Sequence, residues 1–234
     1  MQSPPNAENA RETVLLAALP HVPFDGWSET TLRAAIADSG VAEGLARALF
    51  PRGGIDLAVA FHKDGDAKMR EALAMTDLSQ MRFRDRVAHA IRIRLELVED
   101  RELVRRGTTL FALPQHAAEG ARLIWGTADA IWTALGDTTR DLNWYSKRAT
   151  LSAVYGSTVL YWLGDDTPGH QATWDFLDRR ISDVMQIETL KAKLRENPLG
   201  KAILAGPAKV MEKWRVPTVP DDLPGKIMDR FRQG

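Results

Sequence analysis

An all-α fold follows from three observations on the sequence. Apolar residues recur at three- and four-residue spacing along most of its 234 positions. Alternating strand patterns are scarce. The gaps between helical stretches carry Pro, Gly or a helix-capping residue.

Taken in order, the first helix covers residues 7–19, with Ala10, Val14, Ala17 and Ala18 on one side. Pro20 and Pro23 end it, because proline removes a donor and restrains its neighbour. Ser28 caps a second helix that stops at Ser39 and Gly40. A short third helix, residues 42–50, closes at Pro51, Gly53 and Gly54. Helix, glycine turn and short helix form a helix-turn-helix pattern. A helix over 56–62 breaks at Lys63-Asp64-Gly65-Asp66, and another runs to Met75. A long helix over 78–106 places Phe83, Val87, Ile91, Leu95 and Val98 on one face and the arginines on the other, with Gly107 as its stop.

Residues 116–135 carry Ala117, Ala121, Ile124, Ala128, Ile131 and Leu135 as an inner stripe, with Gly136 and Asp137 as the exit. The helix over 142–163 is apolar nearly all round after Leu151, which marks it as central. At its start Trp144, Arg148, Leu151 and Tyr155 share a face. Such a mixture suits a contact surface, but residue chemistry alone favours a core helix whose aromatic tips reach water. Thr167 and Pro168 open a helix to Met185, with Trp174, Leu177, Ile181 and Val184 inward. The layout is a helix-turn-helix-like unit (1–75), a helical domain (76–185) and an amphipathic segment with a Pro-rich tail (186–234).

Composition narrows the function. The chain is 44% hydrophobic and 26% charged, with 31 basic and 31 acidic side chains, so no global field draws it to nucleic acid or anionic lipid. It has no cysteine, hence no disulfide, thiolate metal site or cysteine nucleophile. No segment offers the ~18 uninterrupted apolar residues of a membrane span. The first twelve residues carry Glu8 and Glu12 beside Arg11, and read as neither a secretory signal nor a transit peptide. The expected location is a bacterial cytoplasm, peripheral to the inner membrane.

Catalytic constellations are thin. Histidines 21, 62, 89, 116 and 170 are widely spaced, and His116 with Glu119 reverses the Glu-x-x-His pairs of di-iron bundles. Gly156-Ser157-Thr158 lacks the second glycine of a nucleophile elbow. No enzyme, metal site or cofactor is expected.

Gly26-Trp27, Thr31, Ile36-Ala37 and Gly40-Val41 resemble the DNA-binding unit of TetR-like regulators, a superfamily that joins it to a larger helical ligand domain. A ligand-responsive transcriptional regulator is therefore the alternative reading. Against it, residues 1–60 hold four arginines, no lysine and seven carboxylates, a net of −3. Residues 42–50 offer one arginine for a duplex. The unit reads as a fold without DNA binding.

Asp141-x-Asn143-Trp144-Tyr145-Ser146-Lys147-Arg148, then Leu151 to Thr158, then Trp174-Asp175-Phe176-Leu177-Asp178-Arg179-Arg180-Ile181 resemble the Coq-nine family of lipid-binding accessory proteins in ubiquinone biosynthesis. The likeness covers about residues 10–185 and is best over 129–185. Ser146 replaces the usual Thr, and Gly156 stands where a larger polar residue is expected. Neither change removes an aromatic anchor.

The resemblance implies a TetR-like protein that binds an isoprenoid lipid (a ubiquinone precursor or a phospholipid) and presents it to the di-iron demethoxyubiquinone hydroxylase. On that implication Asp141, Asn143, Trp144, Tyr145, Arg148 and Tyr155 form the docking patch. Ile124, Trp125, Ala128, Ile131, Trp132, Leu151, Tyr155 and Val159 line the lipid site. On residue chemistry alone the aromatics between 125 and 174 fill a core as readily as they enclose a cavity; the resemblance implies the cavity. A homodimer stays open. Residues 187–215 carry seven Lys or Arg against three Glu, with Leu190, Leu194, Ile203, Met211 and Trp214 as apolar membrane contacts, or as packing on the chain's own domain.

Overall fold

The computed structural model describes residues 7–138 and 142–196, the side chains of residues 142, 143 and 187–196 excepted. Regular structure among the described residues is entirely helical: α1 (Ala7–Ala18), α2 (Val22–Asp25), α3 (Glu29–Ser39), α4 (Glu43–Leu49), α5 (Gly54–Ala74), α6 (Phe83–Glu96), α7 (Arg101–Ala112), α8 (Ala117–Ala134), α9 (Leu142–Leu163), a 3-10 turn (Pro168–His170) and α10 (Gln171–Glu196). The chain divides into two units, Met1–Ser182 and Asp183–Gly234. Helices α1 to α9 and the first half of α10 belong to the first unit.

Local chemistry sets the N-terminal helices. Ser28 caps α3 by accepting the Thr31 amide at 3.2 Å, and the Thr31 hydroxyl donates to the Gly26 carbonyl at 2.6 Å. Gly40, at φ +66°, ends α3 in the left-handed conformation that costs a glycine little. Val14, Leu15, Leu32, Ala35, Phe50 and Leu57 bury a shared core that joins α1, α3, α4 and α5. Trp27 belongs to it, and its indole N–H donates to the Leu103 carbonyl at 3.0 Å, tying this region to α7.

Two expected boundaries move. Helix α5 runs unbroken through Gly65, because Asp66 bonds Arg94 of α6 across the helix pair and Leu57, Met69 and Leu73 bury on either side. A Cβ at position 65 would lie 2.5 Å from the Arg94 guanidinium carbon, so close approach explains this glycine. That interhelix packing outweighs the ~1 kcal/mol a mid-helix glycine costs. The single helix expected over 78–106 is two: Asp100 caps α7 by accepting the Glu102 amide at 2.8 Å, and the chain turns between α6 and α7. Gly107 is no stop; it lies inside α7, where the Trp27 indole would meet a Cβ at 3.5 Å.

Farther on, Ala117 and Ala121 of α8 face an open cavity and are accessible there, while Leu123, Thr127, Ala128 and Ile131 are buried. Helix α9 is not buried all round either, since Leu160 and Tyr161 are exposed, Tyr161 stacked on Phe176 at 4.6 Å. The expected cap before α10 is more elaborate than Thr-Pro. Asp165 accepts the amides and hydroxyls of both Thr167 and Thr173, with the Thr173 hydroxyl at 2.6 Å. Those hydrogen bonds hold its carboxyl below the usual carboxylate range. Trp174, Leu177 and Ile181 then point inward as expected.

Candidate functional site

Helices α5 to α9 border a cavity of about 430 Å³ that opens to solvent where the exposed Ala112, Ala117, Ala121 and Leu160 line it. Its wall is mostly aliphatic and aromatic: Trp27 and Phe61 on one side, Leu103 and Phe111 from the α7 region, Ile124 from α8 and Val159 from α9. Small residues thin the wall and leave the space open. At Gly156 an added Cβ would meet Ile124 at an ordinary 3.7 Å.

Charged and polar groups interrupt this apolar surface at one place. Arg94 donates from Nε to Asp66 at 2.8 Å and from Nη2 to the His62 carbonyl at 3.0 Å. The Thr127 hydroxyl lies 3.0 and 3.1 Å from the two Asp66 oxygens and 2.8 Å from His62 Nε2. Arg94, Asp66, Thr127 and Tyr155 are all buried. Burial pushes the Tyr155 phenol up, so it is a neutral hydroxyl at physiological pH. It also pushes the His62 imidazole from 6.5 down to about 4, against the pull of Asp66, so His62 is neutral too.

That shift has a measurable consequence. Between pH 6.5 and 4 the unfolded His62 binds a proton that the native one refuses, so stability present above 6.5 is lost as the pH falls toward 4. At ~1.4 kcal/mol per unit the loss amounts to a few kcal/mol. Melting curves at pH 7 and 4.5 should show a smaller drop for His62→Gln than for the native chain. An equal drop would mean the imidazole is not buried neutral.

Of the eight residues expected around the ligand, Ile124, Tyr155 and Val159 line the cavity. Ala128, Ile131 and Leu151 are buried away from it in solid core. Trp132 stacks on Phe83 at 5.3 Å and donates to the Lys147 carbonyl at 3.2 Å. Trp125 packs against Trp144 at 5.9 Å. The polar cluster escaped sequence reasoning, which put the α6 arginines on the outer face. Its signal was present: Arg94 follows Val87 by seven and Ile91 by three, so it stands on the apolar stripe.

The docking residues separate likewise. Tyr145 is exposed, and Trp144 is half-buried with its ring 4.8 Å from Tyr145 in an edge-on arrangement. Arg148 and Tyr155 are not surface residues. The Arg148 guanidinium packs 4.0 Å over the Trp144 ring and bonds Asp129 at 2.5 Å and Asp137 at 3.2 Å. Helix α9 turns the shared face of Trp144, Arg148, Leu151 and Tyr155 into the protein, the core alternative of the sequence reading. Asp141 lies outside the described residues, as do the side chain of Asn143 and those of Leu190, Leu194, Ile203, Met211 and Trp214. In the helix-turn-helix-like region Arg47, the basic side chain of α4, is paired with Glu29 and Glu43, both at 2.9 Å.

Residues 117–188, which span α8, α9 and the Trp174-to-Ile181 block, match the model of the COQ9 family. Similarity to relatives extends well beyond that match. Ubiquinone biosynthesis protein COQ9, mitochondrial, of Drosophila melanogaster is 32% identical over 185 residues, 77% of this chain and 56% of the relative. The matched region belongs to the COQ9 family. The Rattus norvegicus COQ9 protein is 29% identical over 85% of this chain and 65% of its own length. The human one is 27% identical over 85% and 64%. The chain thus spans between half and two thirds of these COQ9 proteins.

The fold is TetR-like. A TetR transcriptional regulator from Nitrosomonas europaea ATCC 19718 superposes with a TM-score of 0.60 at 19% identity, over 74% of this chain and 95% of that one. The relatives' names place them in mitochondria. No described helix of this chain is long and apolar enough to cross a membrane.

Proposed function

We propose that this chain is a non-enzymatic accessory protein of ubiquinone biosynthesis. It holds an isoprenoid ubiquinone precursor in the α5–α9 cavity and presents it to the di-iron demethoxyubiquinone hydroxylase, docked at Trp144 and Tyr145, from a position peripheral to a membrane. The observation that carries this reading is the 430 Å³ cavity with its largely apolar wall, in a chain similar to COQ9 proteins. A concave site of this size with a mostly apolar wall and a few polar groups is the kind that takes an apolar ligand. The regulator reading loses ground on the acidic balance of residues 1–60 and on the pairing of Arg47, because duplex affinity rests on free cations that neutralise phosphates.

Gly156→Phe tests the cavity. An added Cβ meets only the Ile124 side chain at 3.7 Å, the ring beyond it takes up space in the cavity that Gly156 lines, and a helix interior gains slightly from losing glycine. Displacing ligand from a filled site costs ~1–3 kcal/mol, so lipid recovered per mole of protein should fall about tenfold or more. Organic extraction and mass spectrometry measure it, with helicity followed by circular dichroism. A folded variant that carries its full complement of lipid would refute the reading.

A further inference from the structure

Arginines clamp one stretch of the cavity wall at both of its ends. In the first half of α7, Arg101 donates to the Asp165 carbonyl at 2.6 Å, Arg105 to the Leu163 carbonyl at 2.7 Å and Arg106 to the Pro23 carbonyl at 2.7 Å. Beyond the far end, Arg52 in the turn before α5 grips the Glu119 carboxylate of α8 at 3.0 and 2.9 Å. Between the two clamps the fastenings stop. The Thr109 hydroxyl turns back to the Arg105 carbonyl of its own helix. Among the described residues, no side chain from Gly107 to His116 makes a hydrogen bond to another element.

The same stretch is lightly packed. Leu103, in the clamped half, is the buried residue of α7. Leu110 and Phe111 are half-buried, and Ala112, Leu113 and Pro114 are exposed. Gly107, Thr108, Phe111 and Ala112 line the cavity, so this part of α7 looks onto open space, with the mouth beside it. Helices α5 and α9 line the same space but are held elsewhere along their length by buried side chains, Met69 and Leu73 in one and Leu151 and Trp162 in the other. Apolar side chains that face open space lose contact with water when the segment carrying them settles on an apolar ligand. Gly107 stands where the clamped half of α7 meets the free half, and glycine is the residue at which a helix bends most cheaply.

We propose that residues 107–116 form a flap that hinges at Gly107 and folds down over an occupied cavity. The mouth is open in the empty protein and closes around a bound ligand. This rests on the reading of the cavity as a lipid site. The flap sets how long the ligand stays, acting on release and leaving entry unchanged.

The test uses the full chain, stripped of lipid, with the neutral dye Nile red as the probe. Hydrogen exchange followed by mass spectrometry reads the flap directly. The dye should slow exchange of the amides from 109 to 113 at least about tenfold more than that of the amides from 103 to 106. Both halves of α7 line the cavity, so a fixed wall would be protected alike along its length. Gly107→Ala reads the hinge. Its Cβ would meet the Trp27 indole at an ordinary 3.5 Å, so alanine fits the straight helix of the empty protein. Stopped-flow fluorescence should show dye release about fivefold faster, the helix preference of alanine over glycine expressed as a ratio, and entry unchanged. Gly156→Phe, which takes up cavity space, should bind markedly less dye. Equal protection of the two halves of α7 overturns the flap, and so does unchanged release from a folded Gly107→Ala; the cavity then has a fixed wall and the lipid-site reading stands. If Gly156→Phe binds the dye as tightly as the native chain, the dye lies outside the cavity, and the lipid-site reading falls together with the flap.

Discussion

Arg148→Ala is expected to lower the melting temperature by about 10 °C, from a loss of ~3 kcal/mol in a domain of this size. The guanidinium is 2% exposed and bridges two carboxylates, Asp129 on α8 and Asp137 beyond its end. Removing it strands Asp137, 7% exposed, with less countercharge, although Lys147 still reaches that carboxylate at 2.8 Å. Asp129, 44% exposed, is rescued by water, which keeps the loss at the lower end for broken buried pairs. The variant also strips the cation from the face of Trp144. A native-like melt would return Arg148 to the surface and reopen its candidacy as a docking residue.

Tyr145→Ala should do the opposite. The side chain is 61% exposed, so truncation should leave thermal stability nearly unchanged. Interfaces concentrate their energy in a few aromatic anchors, and losing one costs ~2 kcal/mol, about thirtyfold in affinity. Binding to the purified demethoxyubiquinone hydroxylase, measured by calorimetry, should weaken by that factor. Tyr145 is a cleaner probe than Trp144, because Trp144→Lys would set a second cation against Arg148 and mix stability with docking. Unchanged affinity for the hydroxylase would remove this end of α9 from the interface.

The two variants divide a motif that reads as one block in the sequence. Trp144, Tyr145 and Arg148 are near neighbours in a helix, yet one is half-buried, one exposed and one buried. Helical periodicity predicts that Trp144 and Arg148 share a face and that Tyr145 leaves it. It does not say which face meets the core. Asp129 and Asp137 decide that by capturing the guanidinium, and both lie outside the helix that carries it. The cavity residues separate for a similar reason. Ile124 and Ala128 stand one turn apart on α8, but only Ile124 reaches the space between α5 and α9.

The features legible in the residues alone are local ones: the helical class, the Ser28 cap, the glycine stop at Gly40, the run of α9 from Leu142 to Leu163 and the family to which its central motif belongs. Each of these is settled within a turn or two, by capping hydrogen bonds, backbone freedom or a contiguous pattern of side chains. The continuity of α5, the split between α6 and α7, the cavity and its polar cluster arise only when the helices pack. They depend on partners far apart in the chain: Arg94 with Asp66 at a separation of 28 residues, Thr127 with Asp66 at 61, Trp27 with Leu103 at 76. Burial made those pairings matter, because a charge or hydroxyl removed from water must find its partner wherever the fold supplies one.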